Sequence, residues 1–221
     1  MLCCDSLNLW AVADGMGGHD AGSFASSCVV DHLGGLSAGA KLPAMIEEAR
    51  GALGRSNAQL VALAEPGRTI GATVVALTAD SRNFSCLWAG DCRAYRVRNG
   101  AITQLTRDHS LVQALIDAGE LDAFEAENHP DAHIVTRAVG ASPELALSCV
   151  HGELEAGDLF ILASDGLTRL ISADEIAAGL RGTDLGAAAD QLIETCLERG
   201  APDNVSIVLV QAASGSEAAC A

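Results

Sequence analysis

Lysine is nearly missing from this chain: Lys41 is the only one, and the other basic residues are arginines scattered singly along the sequence. Without a basic cluster there is no surface suited to nucleic acid or to electrostatic attachment on anionic lipid. No apolar run approaches the ~20 residues that a membrane span requires. The first residues offer neither the basic nor the apolar region of a secretory signal. The eight cysteines form no C-x-x-C pair, and none has a histidine at zinc spacing. Several sit inside apolar runs, as small buried hydrophobes do. These absences point to a reducing, cytoplasmic compartment and to a monomer whose partners include no nucleic acid and no membrane.

What the chain does have is acid. Its 29 carboxylates against 13 basic side chains leave a net charge of −16 over 221 residues. The length suits one layered unit. The charge serves solubility, or it reflects clustered carboxylates that need cations.

The apolar pattern predicts a strand over residues 7–13, a helix over 20–33, and a second helix opened by Pro43 and closed near Pro66-Gly67. Residues 69–78, 83–89 and 94–98 are rich in β-branched and aromatic side chains and read as strands. Asn99-Gly100 is a type I′ hairpin signal that should fold 101–105 back onto 94–98. Residues 106–142 are polar and broken. There Ser110 and Gln113 fit a capping box, Gly119 stops the helix, and 122–128 suggest a second short helix before Pro130. Strands follow over 145–153 and 158–163. Ser172 and Glu175 cap a helix to about Leu180, and apolar residues at helical spacing mark another over 185–199. The last strand covers 205–212, and 214–221 read as a frayed tail. Strands such as 159–163 and 205–210 are apolar on both faces and so must be covered on both. Two antiparallel sheets packed together, each covered outside by a helix pair, satisfy the pattern. The expected fold class is therefore α+β, a four-layer α-β-β-α sandwich. It forms one domain over 1–212, with a flap at about 106–142 and a flexible tail over 213–221.

Four acids share one local setting, the end of an apolar stretch beside Gly or Asn: Asp14, Asp91, Asp165 and Asp203. Each alone reads as a turn residue. Turn chemistry does not explain why Asp14-Gly15 and Asp165-Gly166 both follow such apolar strands, or why two more acids share that setting. Carboxylates gathered in space repel unless a proton or a metal lies between them. A set offering only oxygen suits Mg²⁺ or Mn²⁺ rather than zinc.

Read together, Ala13-Asp14-Gly15-Met16-Gly17-Gly18, Gly71-Ala72-Thr73, Ala89-Gly90-Asp91-Cys92-Arg93-Ala94-Tyr95, Ser164-Asp165-Gly166-Leu167 and Asp203-Asn204-Val205-Ser206 resemble the bacterial branch of the type 2C metal-dependent protein serine/threonine phosphatases. Residues 105–112, His129-Pro130 and 136–140 resemble that branch's flap. The likeness spans about residues 8–211, in the family's order. It implies the sandwich fold with metals at one end of the two sheets. It implies hydrolysis of phosphoserine and phosphothreonine on proteins by a Mg²⁺- or Mn²⁺-activated water, opposing a serine/threonine kinase. By position, Asp14 bridges two ions, with the Gly15 carbonyl on one of them and Asp165 and Asp203 on the other. Asp91 and Asp165 hold a third, weaker ion. Asn204 orients Asp203 from behind.

The likeness has one departure. The family opens with a strand carrying a phosphate-gripping Arg, then an Asn-(Glu/Gln)-Asp segment. This sequence begins at Met1-Leu2-Cys3-Cys4-Asp5, and no arginine precedes Arg50. Either the start codon is misassigned or the strand is absent. In the second case the expectation is a weakened or inactive module that binds a phosphoprotein without turnover. A hydrolase of small phosphoesters is a lesser alternative. No general acid is assigned, since Met16 cannot donate a proton. His19 reads as a solvated loop residue, His109 and His129 as flap structure, and Cys92 as a buried, inert thiol.

Overall fold

The computed structural model describes residues 1–17, 19–122, 125–126, 129–213 and 218–220, leaving aside the side chains of His19 and 218–220. Two five-stranded antiparallel sheets carry the fold. The first contains β1 (Leu2–Cys4), β2 (Leu9–Met16), β3 (Gly71–Ala79), β4 (Asn83–Ala89) and β7 (Ser148–Glu153), paired in that order. The second runs β10 (Ala218–Cys220), β9 (Ile207–Ala212), β8 (Leu159–Ala163), β5 (Arg93–Arg98) and β6 (Ala101–Gln104).

Alternation along the strands divides the core into three layers, because successive side chains point to opposite faces. On β2, Leu9, Ala11 and Ala13 face α1 (His19–Gly34) and α2 (Leu42–Leu63), where they meet Val29, Leu33, Leu53 and Leu60. Trp10 and Val12 of the same strand point the other way, into the layer between the sheets. In that layer Phe84 of one sheet meets Phe160 of the other edge to face at 4.9 Å, the arrangement the ring quadrupoles favour. On the far side Ile161 and Leu209 pack with α5 (Ala173–Gly179) and α6 (Leu185–Glu198) through Ile176, Leu192 and Cys196. The flap region carries α3 (Leu111–Ala118), and the single turn α4 (Asp165–Thr168) follows β8.

Most element limits fall within two or three residues of those the pattern suggests. Asn99 and Gly100 take φ of 52° and 79°, and Arg98 pairs with Ala101 across them. Ser172 and Glu175 close both arms of the capping box. At Ser110 only one arm closes, since the Gln113 amide group turns to Asp117 instead. Three differences stand out. β1 and the 3₁₀ turn Asp5–Leu7 were not expected, because three residues show no periodicity. α4 is too short to show one either. Where a frayed end was expected from Ser214, Ala218–Cys220 pair with β9; residues 214–217 and 221 lie outside the described residues. So do 123, 124, 127 and 128 of the expected second flap helix, of which only Glu125 and Ala126 are described as helical.

Candidate metal centre

Strand register gathers the acids before any side chain is considered. β2 ends as β3 begins, with Asp14 opposite Thr73 and Gly15 opposite Ala72. β3 then pairs Val74 with Ala89, so the end of β4, followed by Gly90 and Asp91, lies at the same end of that sheet. In the other sheet Ala163 pairs with both Arg93 and Ile207. That pairing brings the end of β8, just before Asp165, beside the start of β5 and the approach to β9 that carries Asp203. All four acids therefore meet at one end of the sandwich.

Close backbone contacts fix the corners. A Cβ on Gly15 would lie 1.8 Å from the Gly22 carbonyl oxygen, so β2 and α1 approach too closely for a side chain there. A Cβ on Gly166 would lie 2.3 Å from the Asn204 carbonyl oxygen. Ser164 stitches the same two corners together: its N–H donates to the Ser206 carbonyl at 3.0 Å and its hydroxyl accepts from the Ser206 N–H at 3.0 Å. The hydroxyl also donates to the Asn204 carbonyl at 3.3 Å. The Asn204 main-chain N–H donates to Asp203 Oδ1 at 2.8 Å.

The Asp91 corner is held from the flap. Gly90 takes φ of 110°, and a Cβ there would strike Thr73. The Gly90 N–H donates to Nδ1 of His109 at 3.1 Å, and the His109 N–H donates to the Gly90 carbonyl at 2.9 Å. With Nδ1 accepting, Nε2 carries the proton and donates to Ser148 Oγ at 2.9 Å. His109 also stacks on Trp88. Burial, then the nearby Arg137 charge, pulls its pKa down to about 4. Arg93, the first residue of β5, grips Asp108 with both Nε and Nη2. His129 does not join this group; its Nδ1 accepts from the Asp131 N–H. The His19 side chain lies outside the described residues. Cys92 is buried with Sγ 3.1 Å from Thr73 Oγ1, and burial holds its pKa well above the usual thiol value, as an inert thiol requires.

The electrostatics record crowding. Burial, followed by the charges of Asp165, Asp203 and Asp91, pushes Asp14 up to about 7. Burial, followed by Asp165 and Asp108, pushes Asp91 up to about 6. Asp165 Oδ1 is buried with no hydrogen-bond partner. A buried carboxylate oxygen left without a partner is costly and suits a cation. Among the described residues, no three His, Cys, Asp or Glu side chains close into a ready-made single-ion cage. Repulsion among the acids and the pull of Arg169 on Asp165 both act against such closure.

The sequence model described as Protein phosphatase 2C matches residues 4–209. The chain belongs to the protein phosphatase 2C family. It is 35% identical over 204 residues to the serine/threonine protein phosphatase PstP of Mycobacterium tuberculosis, covering 91% of this chain but 40% of that protein. Among solved structures, PppA, a key regulatory component of T6SS in Pseudomonas aeruginosa, superposes with a TM-score of 0.83 at 41% identity, covering 91% of this chain and 84% of that one. The catalytic domain of PstP in complex with two manganese ions superposes with a TM-score of 0.81 at 33% identity, covering 94% of this chain and 88% of that one. The expected fold and family are thus both found. The reading as a module without turnover gains no support, since the relatives carrying an activity in their names are phosphatases. Among the described residues no helix is long and apolar enough to cross a membrane.

Sequence reasoning missed two participants. Arg169 sits four residues after Asp165 and pairs with it, a spacing that is legible once α4 is recognised as a helical turn. His109 was read as flap structure without its bond to Gly90, which no local pattern announces.

Proposed function

We propose that this chain hydrolyses phosphoserine and phosphothreonine esters of proteins, releasing inorganic phosphate and the free hydroxyl residue, with two Mg²⁺ or Mn²⁺ ions. The observation that carries the reading is the convergence of Asp14 and Asp165 at one sheet end, with Asp165 Oδ1 buried and unpartnered, in a chain of this family. Asp14, the Gly15 carbonyl, Asp165 and Asp203 would hold the two ions. Such a pair, when bound, activates water and neutralises charge developing on a phosphoryl group.

The chain's own residues do the positioning. Ser164 and the Asn204 main chain hold the Asp165 and Asp203 corners in register. Thr73 packs behind Asp14, its hydroxyl 3.5 Å from the Asp14 carbonyl oxygen. Asp14, pushed up to about 7, retains a proton in weak acid and gives it up as cations bind. The natural partners are then a phosphoprotein and the serine/threonine kinase that makes it. A monomeric, cytoplasmic protein is consistent with the acidic, lysine-poor surface.

The test is Mn²⁺-dependent hydrolysis of a phosphothreonine peptide by wild type and Asp165→Asn. The expected result is metal-dependent turnover that the variant loses by at least about a hundredfold, the scale on which an electrostatic group at a reacting centre acts. Equal rates with and without metal, or an unimpaired variant, would remove the mechanism.

A further inference from the structure

Arg169 reaches back across α4 into the acidic cluster. Its Nη2 lies 3.0 Å from Asp165 Oδ2 and 4.0 Å from Asp91 Oδ2. Its backbone N–H donates to the Asp165 carbonyl at 2.9 Å, so the turn carrying the guanidinium is fixed to the acid it neutralises. Asp165 divides its oxygens: Oδ2 goes to Arg169, while Oδ1 is buried and unpartnered. The cluster is therefore polarised. Among the described residues, Asp14 and Asp203 take part in no ion pair, whereas Asp91 and Asp165 share one guanidinium.

Asp91 and Asp165 are the two acids that the family resemblance allots to a third, weaker ion. Here a tethered positive charge already lies between them. Arginine stays protonated throughout the working pH range and cannot diffuse away. A divalent ion entering there would have to break the pair with Asp165 and then tolerate a guanidinium a few ångströms away, a repulsion that Coulomb's law makes steep at such distances. The residues present fit two ions and do not fit a third.

We propose that Arg169 is the built-in third cation of this centre: the chain loads two divalent ions, and the guanidinium excludes a third from between Asp91 and Asp165. The proposal rests on the two-ion reading above. It makes Arg169 a positioning residue that sets metal stoichiometry.

The test counts ions rather than turnover. The full chain, stripped by chelator, is titrated with Mn²⁺ calorimetrically. Bound Mn²⁺ is counted independently from the loss of the free-ion paramagnetic resonance signal, for wild type, Arg169→Gln and Arg169→Gln/Asp91→Asn. Arg169 keeps 45% of its side chain in solvent, and melting temperatures confirm that each variant folds. The expected counts are two for wild type, three for Arg169→Gln and two again for the double variant. The third ion should bind Arg169→Gln about tenfold or more tightly than any third ion binds wild type, the least that removing a contact charge implies. A third ion bound equally by wild type and Arg169→Gln would overturn this inference alone, as would a count of two in Arg169→Gln or of three in the double variant. No Mn²⁺ bound by any of the proteins would overturn both this inference and the two-ion reading.

Discussion

Crowding at Asp14 should make the metal-free protein lose stability as pH rises through the weakly acidic range, and Asp14→Asn should remove the part of that loss that Asp14 contributes. In the folded chain Asp14 is pushed up to about 7, with burial as the largest cause and Asp165 next. In the unfolded chain an aspartate titrates near 3.9. The folded state therefore binds the extra proton between these values, and stability falls as pH rises toward 7. A fully buried group with such a shift would lose about 4 kcal/mol. Asp14 is only partly buried, and solvent screening reduces this to about 2 kcal/mol. For a chain of this size each kcal/mol moves the melting temperature by about 2–4 °C, so the loss should be about 4–8 °C. Thermal unfolding in EDTA from pH 4.5 to 7.5 measures it for wild type and the variant. The net charge of −16 also destabilises the fold at higher pH, but it acts on both proteins nearly alike and largely cancels in their difference. The variant should gain on wild type by that amount as pH rises, and Mn²⁺ should restore wild type much more than the variant. Parallel curves for the two proteins in EDTA would refute the crowding on which the centre depends.

Other perturbations separate geometry from ligand loss. Gly166→Ala removes no carboxylate but drives a Cβ to 2.3 Å from the Asn204 carbonyl oxygen. It should cost about 1–3 kcal/mol and weaken Mn²⁺ binding, both readable from unfolding with and without metal. His109 has the opposite pH signature to Asp14. Its pKa is lowered to about 4, so the unfolded chain protonates first and stability is lost as pH falls from about 6.5 toward 4. Melting of His109→Ala against wild type across that range should show the gap narrowing in acid; a gap that does not change with pH would deny His109 its neutral, accepting role at Gly90. Gly90→Ala, with φ of 110° and Thr73 in the way, should destabilise the fold by an amount that metal does not recover.

Much of this centre is legible without coordinates, because each acid stands at the end of a strand that announces itself. Leu9, Ala11 and Ala13 alternate with Trp10 and Val12, and both sets are apolar; a strand covered on both faces belongs inside a layered fold, and an acid beside a glycine marks where it emerges. Asn99-Gly100 fixes a hairpin locally, since both residues accept the left-handed backbone the turn demands. The sequence by itself determined the longer elements, their apolar faces, the four strand-end acids and the family. Tertiary structure decided what lies between those acids. Register brought corners from two different sheets to one end, and the bonds of Gly90 to His109, of Ser164 to Ser206 and of Arg169 to Asp91 join residues that local patterning does not couple. The physical reason is that periodicity reports which face of an element is buried, whereas the partner of a charge depends on where the chain returns.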